Sequence, residues 1–271
     1  MTGSGFGHGC LILWLLLTAL GCETPEPLPA AVTWTEPVTG IELVRLEGGR
    51  FLMGTPEAEP LREPQEIRHP VTLSGAFFIA RHEVTQEQWQ RVMGGNPSFF
   101  QNCGGDCPVE TVSALDIERF LDRLEVAGGH RLRLPTEAEW EFACRAGSAA
   151  AFTWGDTLQP DQAQFDGSDP YPGARRGPVP RTPVAVGSFA PNGWGLYDFH
   201  GNLWEWTQDE HCPYPRGAVT DPVGDCDSEL LVIRGGAWNY GADSARCGLR
   251  YTHRPQDDGP GLGFRLAMDA E

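Results

Sequence analysis

An irregular α+β domain is the fold class this chain predicts, on three observations. Glycine (34) and proline (23) are plentiful but aperiodic, so they punctuate loops and do not build a repeat. Short alternating apolar runs fit strands, and three modest segments with helix-start signals follow them. Between these lie long stretches with neither period. The 271 residues are 40% hydrophobic and 21% charged, enough for a real core in one large domain or two small ones. Nine tryptophans suit a core in contact with irregular backbone, because each buries a large apolar area and keeps a donor to satisfy. The net charge of -17 argues against nucleic acid and against electrostatic binding to anionic headgroups.

The elements follow in order. From Ile41 to Gly54, two alternating runs flank Gly48-Gly49 and read as a hairpin. Val71 to Val84 repeats that pattern around Ser74-Gly75. A helix is expected from Thr85, where Gln88 completes a capping box and Trp89, Val92 and Met93 give an apolar face. A second starts near Ser113 with Asp116 three residues on; Ile117, Phe120, Leu121 and Leu124 carry the period, and Gly128-Gly129 ends it. A third starts at Thr136 with Glu139 in the capping position. Long loops run from Gly147 to Val184, and late strands are expected at Leu230–Arg234 and Gly263–Met268.

The amino terminus reads as an export signal. Leu11 to Leu20 is too short to span a bilayer comfortably and has the length of a signal-peptide core. Ala19-Leu20-Gly21-Cys22 resembles a bacterial lipoprotein signal, with residues 1–21 removed and Cys22 lipidated, although no Lys or Arg precedes the apolar run. Residues 22–40 are rich in proline and acid and read as an extended tether, leaving 41–271 as the domain. The expected location is exported: a periplasmic or outer-membrane lipoprotein, touching membrane only through that anchor. Outside Cys10 and Cys22 there are six cysteines, which allow 15 connectivities. An even set in an exported chain favours disulfides, and the lack of two close cysteine pairs speaks against zinc.

Several ordered stretches together resemble one family. They are Gly48-Gly49-Arg50-Phe51-Leu52-Met53-Gly54, Glu83-Val84-Thr85-Gln86-Glu87-Gln88-Trp89, Leu134-Pro135-Thr136-Glu137-Ala138-Glu139-Trp140-Glu141, Gly195-Leu196-Tyr197-Asp198 running into Gly201-Asn202-Leu203-Trp204-Glu205-Trp206, Arg234-Gly235-Gly236 and Gly263-Phe264-Arg265. In this order they resemble the formylglycine-generating enzyme (sulfatase-modifying factor) family. The resemblance implies a single loop-rich α+β domain with a variant C-type-lectin-like fold.

It also implies site residues. The family's formylglycine members are copper-dependent oxidases that use two thiolates after the Arg-Gly-Gly motif, soft ligands suited to Cu(I). Here that segment holds only Cys247, which resembles the family's structural cysteine and implies a Cys144–Cys247 disulfide. The reactive positions fall near Ala237 or Tyr240 and near Ala242, so copper is not expected. The remaining local pairings are Cys103–Cys107 and Cys212–Cys226. Calcium is the expected cofactor: the resemblance implies Asp198, the carbonyls of Gly201 and Leu203, and Glu205, an all-oxygen set suited to this hard cation. Asp166 and the Gly167 carbonyl would belong to a weaker second site. Trp204, Trp238, Asn239, Tyr240 and Arg250 are implied near the substrate groove, where they would meet a peptide, protein or small-molecule ligand.

Other chemistries have less behind them. Asp198 and His200 could begin an iron facial triad, with His211 or His253 as a second histidine. His200 and Asp209 with a serine suggest a hydrolase triad, but no G-x-S-x-G elbow is present. Asp257-Asp258 before Gly259-Pro260 reads as a solvated turn. The resulting expectation is a binding or scaffolding module that lacks the thiol pair. An oxidoreductase of altered chemistry is the alternative, since relatives without the pair do act as oxidases, and formylglycine generation itself is disfavoured. Enzymatic activity is left open by the sequence. Mass spectrometry of the mature protein should find Cys22 as a lipid-modified first residue, and an unmodified Cys22 would contradict the lipoprotein reading.

Overall fold

Gly48 and Gly75, expected to turn two hairpins, instead bend one long ribbon. The computed structural model describes residues 1–3 and 32–270, so the expected signal segment and Cys22 lie outside the described residues. Along the chain run β1 (Thr33–Thr35), β2 (Glu42–Leu46), β3 (Gly49–Met53), β4 (His69–Leu73), β5 (Phe77–Ala80), α1 (Gln86–Met93), α2 (Ala114–Gly128), α3 (Glu137–Arg145), β6 (Trp204–Glu210), β7 (Val219–Thr220), β8 (Leu231–Arg234), β9 (Tyr251–His253), β10 (Leu262–Gly263) and β11 (Ala267–Asp269). β2 pairs antiparallel with β5 and β3 with β4, with Leu46 opposite Phe77 and Gly49 opposite Leu73. The two expected hairpins are thus the two halves of a single ribbon. A Cβ on Gly48 would lie 2.4 Å from the Leu73 carbonyl oxygen and 2.5 Å from that of Gly75. Glycine is there for close backbone approach, not for chain reversal.

Three small sheets result. Their strand orders are β1-β2-β5-β11, β10-β6-β8-β9 and β3-β4-β7. β1 adds to the edge of β2 from within the stretch expected to be a tether. Just after it, the buried carboxylate of Glu36 accepts hydrogen bonds from the N–H groups of Val38 and Thr39. The chain therefore joins the fold ahead of residue 41. The expected late strand Gly263–Met268 divides: β10 pairs parallel with β6, whereas β11 pairs with β5 in another sheet.

All three helices begin where the capping signals place them. Thr85, Ser113 and Thr136 each form a complete capping box, with Gln88, Asp116 and Glu139 returning a hydrogen bond to the cap's backbone. α1 and α2 pack through Trp89, which stacks on Phe120 at 5.0 Å, and Phe264 closes the cluster edge-on. α3 has almost no exposed face: Ala138, Trp140, Ala143 and Cys144 are buried, and so are its acids Glu137, Glu139 and Glu141. From residue 146 to 203 no helix or strand forms. This segment carries its own small core, in which Phe152 packs edge-on against Tyr171.

Those buried acids are held by buried arginines. Glu141 accepts from Arg145 at 2.8 Å and from Arg234 at 2.5 Å. Burial alone would raise the Glu141 carboxyl, but Arg145 and Arg234 hold it below its ordinary value. Glu137 takes both arms of Arg250. Arg246 does the same with Glu66. Three disulfides match the expected pairing: Cys103–Cys107, Cys144–Cys247 and Cys212–Cys226. Cys144–Cys247 spans 103 positions, a loop whose closure stabilises by on the order of 4 kcal/mol in the chain-entropy picture.

Glu141→Gln should lower stability by about 3–5 kcal/mol in denaturant titration, because it strands two buried guanidinium groups. Thr136→Ala should cost only about 1 kcal/mol through its lost cap. Equal costs would show that the arginine frame carries no special weight.

Candidate functional site

The site is set by strand alternation in β6. In Trp204-Glu205-Trp206 the two tryptophans share one face and the glutamate points to the other. On the inner face Glu205 is fully buried; its oxygens meet Arg265 at 2.6 Å each, and one also accepts from the Trp140 indole at 2.7 Å. Arg265 further donates to the carbonyls of Ala80 and Tyr197 and lies over the Phe199 ring at 3.7 Å. On the outer face the Trp206 indole donates to the Val112 carbonyl. Trp204 stacks on Tyr251 at 5.7 Å and meets Tyr240 edge-on at 5.6 Å. Trp204 is 3% exposed, yet its indole N–H has no partner among the described residues. A buried donor left unmatched is costly, so this nitrogen is a natural contact for a ligand acceptor.

Exposed aromatic surface surrounds it. Tyr240 is 41% and Tyr251 51% exposed. Trp238 is partly exposed; it meets Phe100 edge-on at 5.4 Å and donates to the Pro260 carbonyl. Asn239 is exposed beside Gly261. The structure thus brings Trp204, Trp238, Asn239 and Tyr240 to one region. Arg250 is different: it is buried, with both arms on Glu137, and lies over the Tyr214 ring at 4.0 Å. Its charge is spent in the core, so it is not a groove residue. Sequence reasoning missed Tyr251, whose spacing from His253 matches the Trp204/Trp206 alternation.

The vacated cysteine positions are now visible. Ala237 and Ala242 are fully buried and Tyr240 is exposed. Cys247 is bonded to Cys144. Among the described residues, the groups of three or more His, Cys, Asp or Glu that converge are Cys144/His200/Cys247 and Glu210/Cys212/Cys226, and in both the sulfurs are in disulfides. No described cysteine offers a thiolate.

The calcium candidates lie in the turn before β6, where Asp198, Gly201 and Asn202 all adopt left-handed backbone. A Cβ on Gly201 would sit 2.3 Å from the Gln164 carbonyl oxygen. No described donor reaches the carbonyls of Gly201 or Leu203. Asp198 accepts from the Gly187 N–H, and burial pushes its carboxyl up to about 6. Glu83 accepts from Asn202 and from the Leu203 N–H; burial and then Asp198 and Glu205 drive it well above its ordinary value. Glu83 and Glu205 are buried and Asp198 is half-buried, yet among the described residues only Glu205 has a cation, Arg265, within ion-pair distance, so the donor set is short of positive charge. Glu205 has committed Oε2 twice, to Arg265 and Trp140, while Oε1 accepts only from Arg265 and keeps a second lone pair. The weaker pair is already engaged: Asp166 accepts from Ser168, and the Gly167 carbonyl from the Gly177 N–H.

The remaining candidates are each held by hydrogen bonds that do not assemble the expected triads. His200 donates to the Ala245 carbonyl and accepts from the Thr153 N–H, and burial drops it to about 4. A fully satisfied neutral imidazole is neither a free iron ligand nor a nucleophile's base. Asp209 accepts from the N–H groups of Glu137 and Gly224, and no hydrogen bond joins it to His200. Asp257 caps the Arg254 N–H within a turn.

The comparisons with known proteins agree with this geometry. The profile described as the sulfatase-modifying factor enzyme 1-like domain matches residues 29–270. A formylglycine-generating enzyme of Mycobacterium tuberculosis is 31% identical, covering 84% of this chain and 98% of its own. A serine/threonine-protein kinase pkn1 of Chlamydia pneumoniae is 29% identical over 91% of this chain, which spans only 39% of that longer protein. The solved structure of PvdO from Pseudomonas aeruginosa superposes with a TM-score of 0.74 at 28% identity, covering 89% of this chain and 98% of its own. The single domain of mixed helices and small sheets is the variant C-type-lectin-like fold, and the chain belongs to the sulfatase-modifying factor, or formylglycine-generating enzyme, family.

Proposed function

We propose that this protein is an exported, calcium-stabilised binding or scaffolding module that does not generate formylglycine. The observation that carries this reading is the absence of a free thiol at the vacated positions: Ala237 and Ala242 are buried alanines, Tyr240 is a surface ring, and Cys247 is held in a disulfide. Copper–thiolate oxidation needs two soft ligands there. Three disulfides support export, since they persist in oxidising compartments. The aromatic face around Trp204, with its unmatched indole N–H, supports a ligand that stacks and accepts a hydrogen bond, such as a peptide.

Calcium would be held by the Gly201 and Leu203 carbonyls with Asp198, and by the remaining lone pair of Glu205 Oε1. The two unmatched carbonyls and the acid excess against Arg265 favour this fit. There it would supply charge neutralisation and hold the turn before β6.

Incubation with copper, oxygen and a sulfatase-motif peptide should yield no formylglycine; its appearance would overturn the reading. Metal analysis of the native protein should return calcium alone, whereas stoichiometric iron or copper would favour an oxidoreductase of altered chemistry. Calcium at a hundredfold excess over its Kd should stabilise by about 2.7 kcal/mol. A melting temperature indifferent to chelator would remove calcium from the proposal. Peptides selected from a displayed library should lose at least tenfold affinity on Tyr251→Ala and Tyr240→Ala, and binders insensitive to both would place the ligand elsewhere.

A further inference from the structure

A cavity of about 460 Å³ opens where the start of α3 meets the end of β6. It includes none of the aromatic residues around Trp204 and shares only Arg250 with the expected groove. Its walls are largely apolar, formed by Met53, Pro213, Pro215, Pro222 and Val223. The Cys212–Cys226 disulfide closes the loop that carries most of these walls.

The polar groups in it are arranged asymmetrically. Arg250 is neutralised by Glu137 through two hydrogen bonds and donates its remaining arm to the Cys212 carbonyl. The Tyr214 hydroxyl also donates to Glu137. Asp209 is buried and has no lysine, arginine or histidine within ion-pair distance among the described residues. Burial and then Glu137 push its carboxyl up to about 7. Glu210 and Asp225 add further negative charge at the rim. Among the lining residues the formal charge is negative, Glu137, Asp209, Glu210 and Asp225 against Arg250, with Arg234 behind Glu137 at 3.4 Å.

His69 supplies the independent sign of a ligand. It is 2% exposed and lines the cavity. Its Nδ1 bonds the Ile67 carbonyl, which can only accept, so that nitrogen carries the proton and Nε2 is a bare acceptor. No described donor reaches Nε2. An imidazole acceptor without a partner and a buried carboxylate, held by the N–H groups of Glu137 and Gly224 but by no cation, line one largely apolar chamber and call for a donor-rich cation.

We propose that this cavity binds a small organic ammonium ion, with Asp209 as its counter-charge, His69 Nε2 accepting one N–H, and the proline-rich walls covering an apolar body. A primary ammonium has three donors and suits two acceptors that lie apart. A carboxylate or phosphate ligand would meet the excess of acid instead.

Calorimetry on the full chain at neutral pH tests this with phenethylamine and its uncharged counterpart 2-phenylethanol as probes. Phenethylamine should bind at least tenfold more tightly. Asp209→Asn should cut that preference to less than twofold, and His69→Phe should weaken phenethylamine severalfold. Val223 is 52% exposed, so Val223→Trp should fill the cavity and abolish binding without lowering the melting temperature. Equal affinity for the two probes, no phenethylamine binding at millimolar concentration, or binding unchanged in Val223→Trp would each overturn the proposal.

Discussion

The pair formed by Arg265 and Glu205 is the contact on which the rest of the fold depends. It joins the last motif of the chain to β6, and through the Trp140 indole it reaches α3. The remaining arms of Arg265 hold the carbonyls that end β5 and precede the 198–203 turn. One guanidinium thus fixes four segments that are remote in sequence. In a domain with three small sheets and few helices, hydrogen-bonded ladders cannot do this alone. Buried ion pairs take over the role, and their strict geometry explains why the fold tolerates so much irregular backbone around them.

The helices were legible because their signals are local. Thr85, Ser113 and Thr136 each carry their capping partner three residues on, and nothing distant is needed to form the box. The strands were misread where pairing is non-local. Gly48-Gly49 looks like a turn in any short window, yet the backbone it must admit belongs to Leu73 and Gly75. Nor does a window reveal that β1 finds an edge at β2, so proline and acid alone suggested a tether.

The site was legible in part, for a similar reason. Alternation in Trp204-Glu205-Trp206 is local, and the pairing of Cys144 with Cys247 follows from family resemblance. Arg250 escaped because arginine at a groove and arginine beneath one have the same sequence; only the position of Glu137 decides between them. Tyr251 and His69 carry no motif. They matter through what the three-dimensional packing leaves unmatched next to them, an indole N–H in one case and an imidazole nitrogen in the other.

The long segment from residue 146 to 203 has a consequence for how such a protein can change over generations. It begins just after Cys144 and ends at β6, so one end is tied by a disulfide and the other runs into a paired strand. Its interior is steadied by a separate small cluster around Phe152 and Tyr171. Changes in its middle need not disturb the arginine frame, whose bonds to this segment go to the Ala150 and Tyr197 carbonyls near its two ends. A chain built this way can alter the surface in the middle of that stretch while the frame that holds the domain stays in place.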